Sequence, residues 1–229
     1  MKATPSCFLY ASSKEVPEYT CIRVLKRTDV RPREERKRGY HYLIEEQLLL
    51  YHTGYSEIRV PDVHYGRKNA DFGQGFYTTK NGEFAGRWAK ERKDFKTVLN
   101  TYLLETKGLK IYEFKRDASW ADYIFNNRIG KKDPLADMDL IIGPIANDTI
   151  YDTLGVISSG FLKREEALEL LLIGPEYEQV AVKSEKAVSQ ITWLMSRTID
   201  NEEIRRYREI IAQEQAEYLK LLAEKMERF

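Results

Sequence analysis

Leu48-Leu49-Leu50-Tyr51-His52 is an apolar run of strand length that ends on a polar residue. It reads as a buried strand that delivers His52 to a surface or cleft. Gly54 breaks it, and Pro61, Asp62, Gly66 and Asn69 make 56–69 a loop. Phe76-Tyr77-Thr78-Thr79 then joins aromatic and β-branched residues, as strands prefer. Asn81 can cap a helix, and Phe84, Ala85, Trp88, Ala89 and Phe95 predict one apolar helical face over 82–95. Residues 97–105 and 109–114 read as two strands around the Lys107-Gly108 turn.

Asp117 offers a cap for a helix carrying Trp120, Tyr123, Ile124 and Phe125. Residues 138–145 form another short buried strand, stopped by Gly143 and Pro144, and Asn147-Asp148 can cap 149–155. Ala167, Leu168, Leu171 and Leu172 give 164–173 a helical inner face. Residues 179–183 are a last strand, and Ser184 starts a helix with Ala187, Ile191, Leu194 and Met195. Asp200 caps a final amphipathic helix over 200–229, striped by Ile204, Tyr207, Ile211, Tyr218, Leu222 and Met226. That stripe suits docking on the domain, with a partner-binding helix as the alternative. Short strands and helices mixed in order, without strict alternation, predict an α+β fold.

Residues 1–47 differ in pattern. Residues 19–25 alternate well enough for one strand, and Lys26, Arg27, Arg31, Arg33, Arg36, Lys37 and Arg38 follow. That segment reads as a solvated extension, or as a patch for an anionic partner. Over all 229 residues the net charge is only +1, so no global field favours nucleic acid or a membrane. Cys7 and Cys21 are too few for a disulfide framework and match no zinc spacing. His41, His52 and His64 alone make a histidine metal centre a poor expectation. The first residues lack the apolar core of a signal peptide, and no apolar run approaches the roughly 20 residues of a membrane span. A cytoplasmic protein without metal is the expectation.

The chemistry starts at Asp71-Phe72-Gly73-Gln74-Gly75-Phe76-Tyr77. Two glycines one residue apart permit a tight turn and a close backbone approach. They lack the third glycine of a dinucleotide fingerprint and precede a strand, where that fingerprint follows one. No serine elbow, P-loop or paired zinc histidines are present. Taken singly, His52 can be a satisfied strand-end histidine, Tyr77 a core aromatic, and Glu178 and Gln179 solvated residues at a strand start.

Their order is more specific. His52 on an early strand, Phe72-Gly73-Gln74-Gly75-Phe76-Tyr77 on the next, and Glu178-Gln179 opening a late strand resemble the ADP-ribosyltransferase superfamily. The branch is the His-Tyr-Glu one of the poly(ADP-ribose) polymerases and diphtheria toxin. Within it, the chain looks most like a bacterial family of long-unassigned function. Tyr51-His52, Pro61-Asp62, Gly66-Arg67, Asp71 to Tyr77, Ala85 to Ala89 and Ile142 to Ala146 carry that likeness across 48–195.

The resemblance implies an ADP-ribosyltransferase-like domain over 48–199, with split, bent β-sheets and NAD in the cleft between them. His52 is then expected on the adenine-side ribose and the backbone of Thr53 on the nicotinamide amide. Tyr77 and Trp88 would stack on the nicotinamide ring, and Gln179 would bond the nicotinamide-side ribose. Gly54, Arg67, Asp71, Phe72, Gly73 and Gly75 complete the implied NAD-contacting set. Such chemistry needs no metal. Three departures stand out: Thr53 replaces a glycine, Ala85 a serine, and Gln179 the catalytic glutamate. An amide bonds a hydroxyl but does not stabilise positive charge as a carboxylate does, so Glu178, or Glu176, is the alternative acid.

The implied activity is mono-ADP-ribosylation of a protein or nucleic acid, in a toxin or phage-defence setting and with an antitoxin as a conceivable partner. A non-catalytic NAD or ADP-ribose binding module is the rival. An NAD glycohydrolase or an RNA 2′-phosphotransferase would fit the same fold.

Overall fold

The computed structural model describes residues 46–90, 95–146, 166, 169–170 and 172–227. The chain divides into two units, Met1–His41 and Tyr42–Phe229, and every described residue lies in the second. The expected strand at 19–25, the basic segment, the cap at Asn147-Asp148 and half of 164–173 fall outside the described residues.

The architecture is α+β, and the described residues form two sheets and four helices, the last of them long and at the C-terminal end. One sheet holds β1 (Gln47–Gly54), β3 (Thr97–Glu105) and β7 (Ile191–Ile199), all antiparallel in the order β1-β3-β7. The other runs β2 (Phe76–Thr78), β6 (Glu178–Val182), β5 (Leu140–Pro144) and β4 (Ile111–Glu113). In that sheet only the β4–β5 pair is parallel. The period of two decides what faces what. Leu48, Leu50, Tyr102 and Leu104 from the first sheet meet Phe76, Leu140, Ile142, Val180 and Val182 from the second in one buried cluster.

Helices cover the other face of the second sheet and one end of the other face of the first. Trp120, Tyr123 and Ile124 of α2 (Ala118–Arg128) pack with Phe72, Ile141 and Ala181. Asp117 caps that helix through Ser119 and Trp120, as the sequence predicts. On the first sheet, Ala85 of α1 (Gly82–Gly86), with Ala89 just beyond it, joins Leu99, Ile199, Ile204 and Tyr207. The last two belong to α4 (Asn201–Met226), capped by Asp200. Where the sheets part, β1 and β2 touch through a single bridge: Tyr51 and Thr79 exchange backbone hydrogen bonds of 2.8 and 3.0 Å.

Three expectations change. The helix expected over 82–95 stops at Gly86, and the chain turns tightly through Trp88, whose N–H reaches Ala85 O at 3.2 Å. Glycine, a poor helix former, sits at both ends of α1. Phe84, Ala85 and Ala89 are buried as expected, whereas Trp88 and Phe95 are exposed.

The strands around Lys107-Gly108 do not form a hairpin. β4 crosses to the other sheet and pairs with β5, with the Lys110 N–H held by Asp139 Oδ2 at 2.7 Å. Finally, the helix from Ser184 is only α3 (Glu185–Ser189), and Ile191, Leu194 and Met195 lie in β7. Apolar spacing there fits either element, and pairing with β3, distant in sequence, selects the strand.

Candidate functional site at the junction of the two sheets

β2 lies between the other two candidate strands. Its free edge carries the bridge to β1, and its other edge pairs with β6, setting Tyr77 opposite Ala181 and Thr78 opposite Val180. The strands that carry His52, Tyr77 and Gln179 are therefore neighbours, with the His52 ring on the Phe76 face and Tyr77 on the opposite one.

His52 Nδ1 lies 2.7 Å from Tyr77 O. A carbonyl only accepts, so Nδ1 carries the hydrogen and Nε2 of the neutral ring is left as an acceptor. The ring packs on Phe76 at 4.5 Å between centroids. Burial pulls the imidazole below its ordinary value, against the opposing effect of the Tyr77 carbonyl. Beside it, Thr53 Oγ1 donates to Ala85 O at 2.5 Å, tying β1 to α1, and Gly54 leaves the space next to His52 Nε2 open.

Tyr77 is held by the loop in front of it. Its hydroxyl donates to Gly73 O at 2.7 Å and accepts the Phe72 N–H at 2.9 Å. Burial raises its pKa strongly, with Asp71 and Asp133 adding to the rise and Arg67 opposing it. The tight turn and close approach expected of the two glycines are both present. Gly73 takes a φ of 77°, and a Cβ on Gly75 would stand 2.7 Å from Val182 O. Lys183 Nζ pins Phe72 O at 2.7 Å and pairs with Asp133.

The two residues that open β6 part company. Tyr77, Ala181 and Gln179 share one face of the sheet, the face covered by Phe72 and α2. Gln179 is 6% exposed, and its Nε2 donates to Asp71 Oδ2 at 3.2 Å. Glu178 turns to the opposite face, where Oε1 stands 2.7 Å from Lys80 Nζ. The structure therefore separates Glu178 from Tyr77, and Glu176 is exposed. Arg67 is an exposed loop residue, and Trp88 sits edge-on to Phe84 with 37% of its surface open.

Sequence patterning misses the residues that brace this site. Arg128 donates to Asp71 Oδ1 through Nε at 2.8 Å and Nη2 at 2.5 Å, and Asn127 Nδ2 donates to Asp71 O at 2.9 Å. Behind α1, Phe84 stacks on Tyr177 at 4.1 Å, and Arg87 Nη1 donates to Tyr177 OH at 2.5 Å and to Glu214 Oε1 at 2.7 Å. Burial lowers the Arg87 pKa, but Glu214 and Tyr177 outweigh it and the net shift is upward. These partners lie 56 to 127 positions apart, beyond any local pattern. A cavity of about 310 Å³ beside the loop is lined by Lys68, Asn69, Gly73, Gln74, Asn127 and Lys131 among others. None of His52, Tyr77 or Gln179 lines it.

Two sheets that part beside the bridge, with His52 bonded to the Tyr77 carbonyl and Gln179 two residues along the neighbouring strand from the partner of Tyr77, define an α+β protein with a candidate ligand site. Residues 48–193 match the model of DUF3990, described as a protein of unknown function, and the chain belongs to that family. No curated protein and no solved structure matched the chain. Among the described residues no helix is long and apolar enough to cross a membrane.

Proposed function

We propose that the chain is a mono-ADP-ribosyltransferase that moves ADP-ribose from NAD to a protein or nucleic acid, in the setting of a toxin or phage-defence effector. One observation carries the reading. β2 with Tyr77 is bridged to β1 with His52 and paired to β6 with Gln179, so the strands that carry the ordered motif are neighbours, with the Tyr77 carbonyl on His52 and the Tyr77 and Gln179 side chains on the other face of the sheet. Two sheets parting at the β1–β2 junction also agree with the split architecture that the sequence resemblance implies.

In this reading NAD is a substrate. His52 Nε2 accepts a hydrogen bond from the adenine-side ribose, Tyr77 stacks on nicotinamide, and Gln179 bonds the other ribose. The bond between ribose C1′ and the nicotinamide nitrogen breaks, and its electron pair leaves with nicotinamide. The acceptor's nucleophile bonds C1′ and releases its proton to solvent. Positive charge develops on the ribose, as in glycoside cleavage. Ring stacking and hydrogen bonds held in place beforehand lower that barrier. The neutral amide at Gln179 favours one alternative, a module that binds NAD or ADP-ribose without cleaving it.

Incubation with labelled NAD and a cell lysate tests the assignment. Transfer predicts label on protein or RNA. Free ADP-ribose alone would instead indicate a hydrolase, and bound but uncleaved NAD would leave only the binding module. Tyr77→Ala is expected to abolish turnover while far-UV circular dichroism stays unchanged. Full activity in that variant would remove Tyr77 from the NAD site.

A further inference from the structure

We infer that Asp71 is a positioning residue that orients and polarises the Gln179 amide so that its oxygen serves as the ribose acceptor; this rests on the reading that Gln179 meets the ribose of NAD. A glutamine side chain can present either its NH₂ or its oxygen, and nothing in the residue itself chooses. Asp71 chooses. Its carboxylate only accepts, so the amide nitrogen must face Oδ2, at 3.2 Å, and Oε1 must face away. Oε1 accepts no hydrogen bond among the described residues, and it is not one of the fully buried atoms left without a partner, so it stays open while the rest of the residue is buried. An open amide oxygen with no protein partner can accept from a ligand hydroxyl.

The carboxylate is itself held. Arg128 Nε and Nη2 donate to Oδ1, Gln179 meets Oδ2, and Asn127 fixes the Asp71 backbone. Arg128–Asp71–Gln179 is thus a chain from α2 to β6, and hydrogen bonds in such chains polarise one another. A negative neighbour at the NH₂ end draws electron density toward Oε1. It restores part of what an amide lacks beside a carboxylate when positive charge develops on a ribose.

The test is a double-mutant cycle on NAD cleavage by the full chain, with Tm recorded for each variant. Asp71→Asn removes the obligate acceptor at nearly constant shape. It should lower kcat on the order of tenfold with KM for NAD little changed, the scale of coupling within one hydrogen-bond network. Gln179→Glu alone places two carboxylates in one site and should also lose activity. The Asp71→Asn/Gln179→Glu pair, which moves the carboxylate from one position to the other, should recover kcat above both singles.

Multiplicative losses in the pair, or wild-type kcat in Asp71→Asn, would overturn the inference while leaving the NAD assignment standing. A wild-type chain that cleaves no NAD would remove both. Should Asp71→Asn unfold, the folded Gln179→Glu chain still discriminates, because activity at or above wild type there contradicts a second carboxylate facing residue 179.

Discussion

Tyr77 makes the case that a site residue works through its backbone and its hydroxyl as much as through its ring. Its carbonyl orders His52, and its hydroxyl closes the loop at Phe72 and Gly73. Tyr77→Phe keeps the ring but strands a donor and an acceptor, which costs about 1–3 kcal/mol. A fall in Tm with retained far-UV signal is the expected result, and an unchanged Tm would show that the loop is held without the hydroxyl.

His52 carries a pH dependence whose sign follows from burial. Its folded-state pKa is lowered, so protons bind the unfolded chain better. The stability it contributes is complete above the ordinary imidazole value of about 6.5. It is lost as pH falls from there through the lowered folded value. Replacing His52 with Gln should flatten the decline in Tm between about pH 7 and 5, the range where histidine changes charge. A parallel decline in both proteins would place the acid sensitivity elsewhere.

Elements are held by contacts of unequal weight. Arg197 and Glu203 pair at 2.8 Å with substantial exposure, and such surface pairs contribute about 0–1 kcal/mol. Arg87 is half-buried, and Glu214 and Tyr177 are the partners its Nη1 reaches. Glu214→Ala should therefore cost more, about 1.5–3 kcal/mol as for hydrogen bonds to charge, whereas Glu203→Ala should cost less than 1. Urea titration of the two variants checks the order, and equal losses would mean that the α4 contact is as dispensable as the surface pair. Asp200→Ala should remove about 1 kcal/mol through the cap of α4. The same scale explains the misread elements. α1 is short because glycine closes both ends and Tyr207 packs there, and 191–199 is a strand because β3 offers it a ladder.

For the whole molecule, α4 is part of the fold that carries the site. Ile204 and Tyr207 cover Ala85, Leu99 and Ile199, and burying side chains of that kind contributes roughly 1.5–3 kcal/mol each. A chain ending at residue 200 should thus melt lower and yield to protease in 82–90 before the central strands. Resistance equal to the full chain would show that α1 stands without α4. α1 also holds β1, since Thr53 bonds Ala85 O, so loosening α4 should reach the candidate site.

The sequence by itself determined what period and local chemistry can determine. It set strands at 48–52, 76–79, 97–105 and 179–183, the caps at Asn81, Asp117, Ser184 and Asp200, the α+β class and the ordered run from His52 through Tyr77 to Gln179. Those readings depend on neighbours within a few positions, which a chain displays directly. Tertiary structure alone decided that β4 leaves β3 for β5, that 191–199 extends a sheet, and that Gln179 and Glu178 face opposite ways with Asp71 and Lys80 as partners. The physical reason is common to all three. A strand's partner and the side of a sheet that meets a given loop are set by contacts far apart in sequence, and no local pattern encodes them.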